Sequence, residues 1–193
     1  MANSIKEQQD ILEKLNIHVL NPMQEEATFV IEKTTNTILL SPTGTGKTLA
    51  FLLPLVKLLD PNCKDIQALI IVPSRELAIQ IEQVVRSMGS GFKVNAVYGG
   101  RPMSKDKIEI KHVPAILIGT PGRICDHIKR KTLNLQTTQI LILDETDRML
   151  DMGFSDDLEM IVQKIPKTNR QTLMFSATLS NEIISISQSY LKD

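Results

Sequence analysis

Six short segments of this 193-residue chain are apolar at nearly every position: TILL (37–40), ALIIVPS (68–74), KVNAVYGG (93–100), AILIGT (115–120), QILILDE (139–145) and TLMFSAT (172–178). A strand with one wet face alternates apolar and polar residues, so unbroken runs of this kind predict strands covered on both faces. Between them lie stretches of helical period, including TLAFLLPLVKLL (48–59), RELAIQIEQVVRSMG (75–89), PGRICDHIKR (121–130) and DDLEMIVQKI (156–165). Alternating strands and helices predict βαβ crossovers, and with them an α/β, three-layer, doubly wound and mostly parallel sheet. In such a sheet ligands bind beyond the carboxyl ends of the strands, which directs attention to the residues that follow each apolar run.

The chain is long enough for one substantial core, and no linker, repeat or low-complexity tract divides it, so one domain over residues 1–193 is expected. Lys plus Arg equals Asp plus Glu at 22 each, which excludes a global basic field; a nucleic-acid site must be built locally. Cys63 and Cys125 form no CxxC or Cys/His cluster and read as reduced thiols. His18, His112 and His127 occur singly without ligand spacing, and HIKRK (127–131) reads as a solvated helix end. The polar opening MANSIKEQQD and the lack of any membrane-length apolar run lead to the expectation of a cytoplasmic protein with no membrane partner.

After TILL come Ser41, Pro42, Thr43, Gly44, Thr45, Gly46, Lys47 and Thr48, and then a helical pattern begins. A loop at that junction aims backbone N–H groups and a helix N-terminus at one anion. Gly44 and Gly46 allow close approach, Lys47 reaches β and γ phosphates, and Thr48 is a Mg²⁺ ligand. The strict GxxxxGK[ST] pattern fails because Ser41 stands at the first glycine position, so a structural turn remains an alternative on this motif alone. Asp144 and Glu145 directly follow another apolar strand; in P-loop NTPases an aspartate at that place holds Mg²⁺, usually through water, and an adjacent glutamate orients or deprotonates the attacking water. Capping of the next helix by Asp144, Glu145, Asp147 and Arg148 would produce the same pattern.

With these motifs placed, the chain resembles the first RecA-like domain of a DEAD-box RNA helicase over nearly its whole length. Gln24 in LNPMQEEA matches the adenine-reading glutamine of the Q-motif, and Ser41 to Thr48 match motif I. PSRELAIQ (73–80) is similar to motif Ia, Gly99 and Gly100 to the glycine doublet, and TPGR (120–123) to motif Ib. DETD (144–147) resembles motif II, and SAT (176–178) motif III. The resemblance implies ATP as substrate with Mg²⁺, and a coupling role for Ser176 and Thr178 through hydrogen bonds to the motif II carboxylates. It also implies a second RecA-like domain, outside this chain, that supplies an arginine to the γ phosphate. On that reading the isolated domain binds nucleotide, hydrolyses it negligibly and unwinds nothing, since a missing arginine finger costs roughly 10³ to 10⁵ in turnover.

Several positions depart from the family pattern. Ser41 replaces Ala or Gly, Ser74 replaces threonine, and Thr146 replaces the alanine of DEAD. Leu20 and Asn21 replace the usual proline-threonine pair, and no aromatic residue precedes Phe29, which implies weaker adenine binding. Pro73, Ser74 and Arg75, then Gly99, Gly100 and Arg101, then Thr120, Gly122 and Arg123, form a candidate phosphate track for RNA; ordinary strand-to-helix turns with N-caps would look the same. Aromatic residues are only 4% of the chain, so base-stacking platforms are not expected and sequence preference should be small. A nucleotide-dependent RNA clamp and a DNA helicase remain alternatives at this level.

Overall fold

The computed structural model describes residues 8–191. Two helices, α1 (Gln8–Lys14) and α2 (Pro22–Lys33), lead into β1 (Asn36–Leu40) and α3 (Lys47–Leu58). Strands and helices then alternate through β2 (Ala68–Ile71), α4 (Arg75–Met88), β3 (Val94–Val97), α5 (Met103–Glu109), β4 (Ile116–Gly119), α6 (Pro121–Lys129) and β5 (Ile140–Leu143). Helices α7 (Thr146–Asp151) and α8 (Ser155–Val162), β6 (Gln171–Ser176) and α9 (Asn181–Tyr190) complete the described chain. All six expected strands are present, in one sheet of order β1-β6-β5-β2-β4-β3 whose neighbours all pair in parallel.

Alternate residues of each inner strand feed opposite cores, as the period-2 geometry requires. Ala68 and Ile70 of β2 face a core built with α1 to α4, whereas Leu69 and Ile71 face one built with α6 to α9. The sheet is therefore the middle of three layers, in agreement with the sequence. Phe51 of α3 and Phe175 of β6 clamp one interface with ring centroids 5.0 Å apart and tilted by 54°. Helix α3 runs through Pro54, whose missing N–H and ring clash would ordinarily kink it; complete burial of Phe51, Leu52, Leu53 and Leu55 offsets that cost. One expectation needs refinement. β1 lies at the sheet edge, and Ile38 and Leu40 remain 37% and 49% exposed, so this strand is not covered on both faces among the described residues.

Register fixes the functional edge. Leu40 pairs with Ser176, Leu143 with Met174, and Ile71 with both Leu143 and Gly119. The loops after all six strands thus emerge side by side. Gly119 is one place where only glycine fits, because an added Cβ would lie 2.7 Å from Ile124 Cγ1 and 2.9 Å from Val97 Cγ2. Gly119→Ala is expected to destabilise the chain by about 1 to 3 kcal/mol through overpacking, read as a lower urea midpoint at unchanged m value.

Candidate functional site

From β1 the chain turns through Ser41 to Gly46 into α3, with Gly44 and Gly46 at φ of 80° and 88°, where side chains other than glycine are strained. Ser41 Oγ and Thr45 Oγ1 share a hydrogen bond of 2.6 Å, and Thr45 Oγ1 donates to Pro42 O at 2.9 Å. The serine that breaks the strict pattern is therefore a brace across the loop. Lys47 is buried, and its Nζ donates to Ser41 O at 2.8 Å, which holds the ammonium inside the loop. Ser41 N in turn donates to Ser176 O at 3.0 Å, tying the loop to the end of β6.

Gln24 packs against this loop from α2. Its Oε1 accepts from Asn21 N at 3.0 Å, Asn21 Oδ1 accepts from Gln24 N at 2.9 Å, and the pair forms a reciprocal capping box at the start of α2. Both side chains also reach the phosphate loop: Asn21 Nδ2 donates to Thr45 O at 3.0 Å and Gln24 Nε2 to Gly46 O at 3.2 Å. A Cβ at Gly46 would lie only 2.4 Å from Gln24 Nε2. Asn21, which departs from the family pattern, is thus in hydrogen-bond contact with the loop after β1.

At the end of β5, Asp144 is 3% exposed, and no cation among the described residues lies within ion-pair distance. Burial pushes its carboxyl up to about 6, against the attraction of Lys47 and the hydrogen bond from Glu145 N at 2.9 Å. Thr48 on the first turn of α3 bonds through its hydroxyl to nothing among the described residues. A buried, unpaired carboxylate and a free hydroxyl beside a phosphate loop suit Mg²⁺, which binds one or two protein oxygens together with phosphates and waters. Glu145 occupies the left-handed region at φ 51°, an uncommon conformation for a side-chain-bearing residue, and its Oε2 contacts Arg148 Nη1 at 3.2 Å. Thr146 is fully buried with its hydroxyl donated to Leu143 O at 3.3 Å, so the residue replacing alanine satisfies its own polar atom.

The turn after β6 is tied to the Asp144 to Asp147 turn through Asp147. Its Oδ2 accepts from Ala177 N, Thr178 N and Thr178 Oγ1 at 3.2, 3.1 and 3.1 Å. Ser176 Oγ instead donates to Thr178 O at 2.8 Å and reaches no motif II carboxylate. A cavity of about 150 Å³ bounded by Thr43, Lys47, Glu145, Asp147, Arg148 and Ala177 lies between these groups. Pockets that enclose a whole small molecule run to roughly 300–1,000 Å³, so this one is too small for a complete nucleotide and has room only for a group of phosphate size.

The three candidate phosphate-holding turns stand farther along the same edge. Pro73 is buried, and Ser74 caps α4 by accepting from Leu77 N at 3.2 Å, so here the capping alternative holds for the side chain. Thr120 caps α6 without using its hydroxyl. Gly99 and Gly100 are exposed, and a cavity of about 420 Å³ runs between Gly99, Thr120, Gly122, Arg123 and Lys129. Arg75 is half exposed, but Arg101 and Arg123 both turn inward to Asp106, at 2.6 Å each. His127, read from sequence as part of a solvated helix end, is fully buried and bonds the same carboxylate at 2.9 Å. Cys63 and Cys125 are both free thiols, and burial pushes Cys125 up to about 12.

Comparison with known proteins agrees with these motifs. The DEAD/DEAH box helicase family profile matches residues 21–186. The chain is 45% identical over 176 residues to the ATP-dependent RNA helicase CshA of Listeria monocytogenes, covering 86% of this chain and 34% of that protein. It is 43% identical over 183 residues to the DEAD-box ATP-dependent RNA helicase CshA of Streptococcus pneumoniae, covering 94% and 35%. The chain thus spans about a third of the length of the curated relatives it matches. Among solved structures, a DEAD box protein from Methanococcus jannaschii superposes with a TM-score of 0.89 at 34% identity, covering 97% of this chain and 52% of that one. A hypothetical ATP-dependent RNA helicase from Sulfolobus tokodaii gives a TM-score of 0.86 at 28% identity, with 96% and 54% covered.

The raised carboxyl at Asp144 has a stability signature. Between the ordinary aspartate value of 3.8 and about 6 the folded chain binds the extra proton, so stability falls as pH rises through that window. Asp144→Asn is expected to stabilise the nucleotide-free chain by about 1 to 3 kcal/mol at pH 7 and by nothing near pH 3.5, measured by urea unfolding at both values.

Proposed function

The chain belongs to the DEAD/DEAH box helicase family, and on that premise we propose that it is the ATP-binding part of an RNA helicase whose complete form couples RNA-stimulated ATP hydrolysis to local duplex unwinding. The observation that carries this reading is the convergence of a phosphate loop, an unpaired buried carboxylate and a second carboxylate in a strained turn on one sheet edge. Ser41, Pro42, Thr43, Gly44, Thr45 and Gly46 cradle the phosphates with Lys47, while Thr48 and Asp144 hold Mg²⁺, Asp144 through water. The chemistry that Mg²⁺ would supply there is neutralisation of phosphate charge. Gln24 selects adenine once nucleotide draws its amide away from Gly46 O.

Glu145 is the group that orients the attacking water and takes its proton, since Arg148 steers but does not bury its carboxylate, whose side chain is 19% exposed. Among the described residues Arg148 is the only arginine bordering the phosphate cavity, and it already pairs with Glu145. On the pattern of the family, a second RecA-like domain supplies the arginine to the γ phosphate. The chain alone then binds ATP but turns it over roughly 10³ to 10⁵ times more slowly than the complete protein. RNA lies across the loops of Pro73 to Arg75, Gly99 to Arg101 and Thr120 to Arg123, held by its backbone with little sequence preference. Such a protein works in the cytoplasm, and no described helix is long and apolar enough to cross a membrane.

Two measurements on the complete protein test this. Glu145→Gln is expected to lower RNA-stimulated ATP turnover by about 10² to 10⁴ while leaving nucleotide affinity within a few fold; unchanged turnover contradicts the assignment. Thr178→Ala, which removes one of three bonds to Asp147, should reduce unwinding about tenfold more than ATP turnover, and a parallel fall in the two rates contradicts the coupling role.

A further inference from the structure

Asp106 sits on α5 with no exposure, at the junction of the two loops that border the 420 Å³ groove. Its Oδ2 accepts from Arg123 Nε at 2.6 Å and meets His127 Nε2 at 2.9 Å, and its Oδ1 lies 2.6 Å from Arg101 Nε. The Arg101 contact is charge to charge, because the geometry is too far off line for a hydrogen bond. Arg101 is held further by Glu109 Oε2 at 2.8 Å, by Ala96 O at 2.7 Å and by the Tyr98 ring at 4.6 Å. Arg123 Nη2 closes the circuit on Arg101 O at 2.9 Å. Burial alone would raise the Asp106 carboxyl; hydrogen bonds from His127 and Arg123 and the charges of Arg101 and Arg123 together hold it below its ordinary value.

The charges of Asp106, Glu109, Arg101 and Arg123 cancel. Side-chain exposure is only 17% for Arg101 and 10% for Arg123, against 52% for Arg75. Arg75 Nη1 stands 3.1 Å from where a Cβ on Gly100 would be, so its guanidinium lies against the exposed glycine pair. Its partner Glu76 is itself 73% exposed and offers little competition to a phosphate.

We propose that Asp106 is a positioning residue for RNA: it locks the Gly99 to Arg101 loop to the start of α6 at fixed spacing, and it withholds the Arg101 and Arg123 guanidiniums from phosphate. The RNA backbone is then gripped by N–H groups of the two loops and by Arg75. This rests on the RNA reading above and specifies how that site works. A neutralised arginine releases no counterion when RNA binds, so the salt dependence of binding counts which guanidiniums touch phosphate.

The test is the affinity of the complete protein for single-stranded RNA, with a non-hydrolysable ATP analogue, between about 50 and 200 mM salt. Asp106→Asn frees one or two arginines and is expected to steepen the slope of log K against log salt by about 0.7 to 1.4, with nucleotide affinity unchanged. Arg75→Gln should flatten the slope by about 0.7, whereas Arg101→Gln should leave it unaltered. A purely structural Asp106 would lower affinity without moving the slope, and that result overturns the proposal. So does an Arg101→Gln slope flattened as much as that of Arg75→Gln, a comparison that decides the matter even if Asp106→Asn fails to fold. If the unsubstituted protein binds no RNA, the RNA reading itself falls; if it binds and the slopes are insensitive, only the role of Asp106 does.

Discussion

Parallel pairing of β1, β6 and β5 is the constraint on which the site depends. Because the strands run the same way and in register, Leu40, Ser176 and Leu143 release their following loops from one edge. The phosphate loop, the Asp144 to Asp147 turn and the Ala177 to Thr178 turn then need only short hydrogen bonds to meet: Ser41 N to Ser176 O, and Thr178 to Asp147. No single helix or loop could assemble these groups, which come from three separate segments, the first of them about a hundred residues before the other two. The two cores on either side of the sheet hold this edge rigid, and in doing so prepare the positions of the polar groups before any ligand arrives.

Two buried aspartates show how the same fold uses opposite electrostatics. Asp106 is surrounded by donors and stays charged below its usual range, so it serves as a fixed brace. Asp144 is buried with Lys47 only attracting it from a distance, and its carboxyl rises to about 6. That is a group kept short of cation, at the place where a phosphate-bound cation would sit. The cost in stability is the ordinary one for a binding site that is complementary to a ligand rather than to itself.

Much of this was legible in the chain. Unbroken apolar runs carry the strand count and the parallel, doubly covered sheet, and they failed only at β1, whose edge position is decided by strand order and not by its own residues. Asp144, Glu145 and Thr178 fall together because they stand just after strands β5 and β6, and Lys47 joins them at the end of the loop that leaves β1 beside β6. What sequence reading missed depends on side-chain geometry. Asn21 was read as a departure, although Asn-x-x-Gln before a helix is a capping-box signal that could have been seen. Of the two residues expected to bond the motif II carboxylates, Thr178 does so at Asp147, whereas Ser176 spends its hydroxyl on Thr178 O, a choice that only the geometry of the turn decides. Asp106 left no local trace, because Arg123 and His127 stand 17 and 21 residues away from it.

The central claim is that Ser41 to Thr48 form a phosphate cradle for an adenine nucleotide. Calorimetric titration of this 193-residue chain with Mg·ADP, beside Lys47→Ala and beside Mg·GDP, tests it most directly. The account predicts saturable binding of Mg·ADP that is weakened at least about tenfold by Lys47→Ala, the equivalent of about 1.4 kcal/mol, and weaker binding of Mg·GDP. Equal affinity of the unsubstituted chain and Lys47→Ala for Mg·ADP would contradict it.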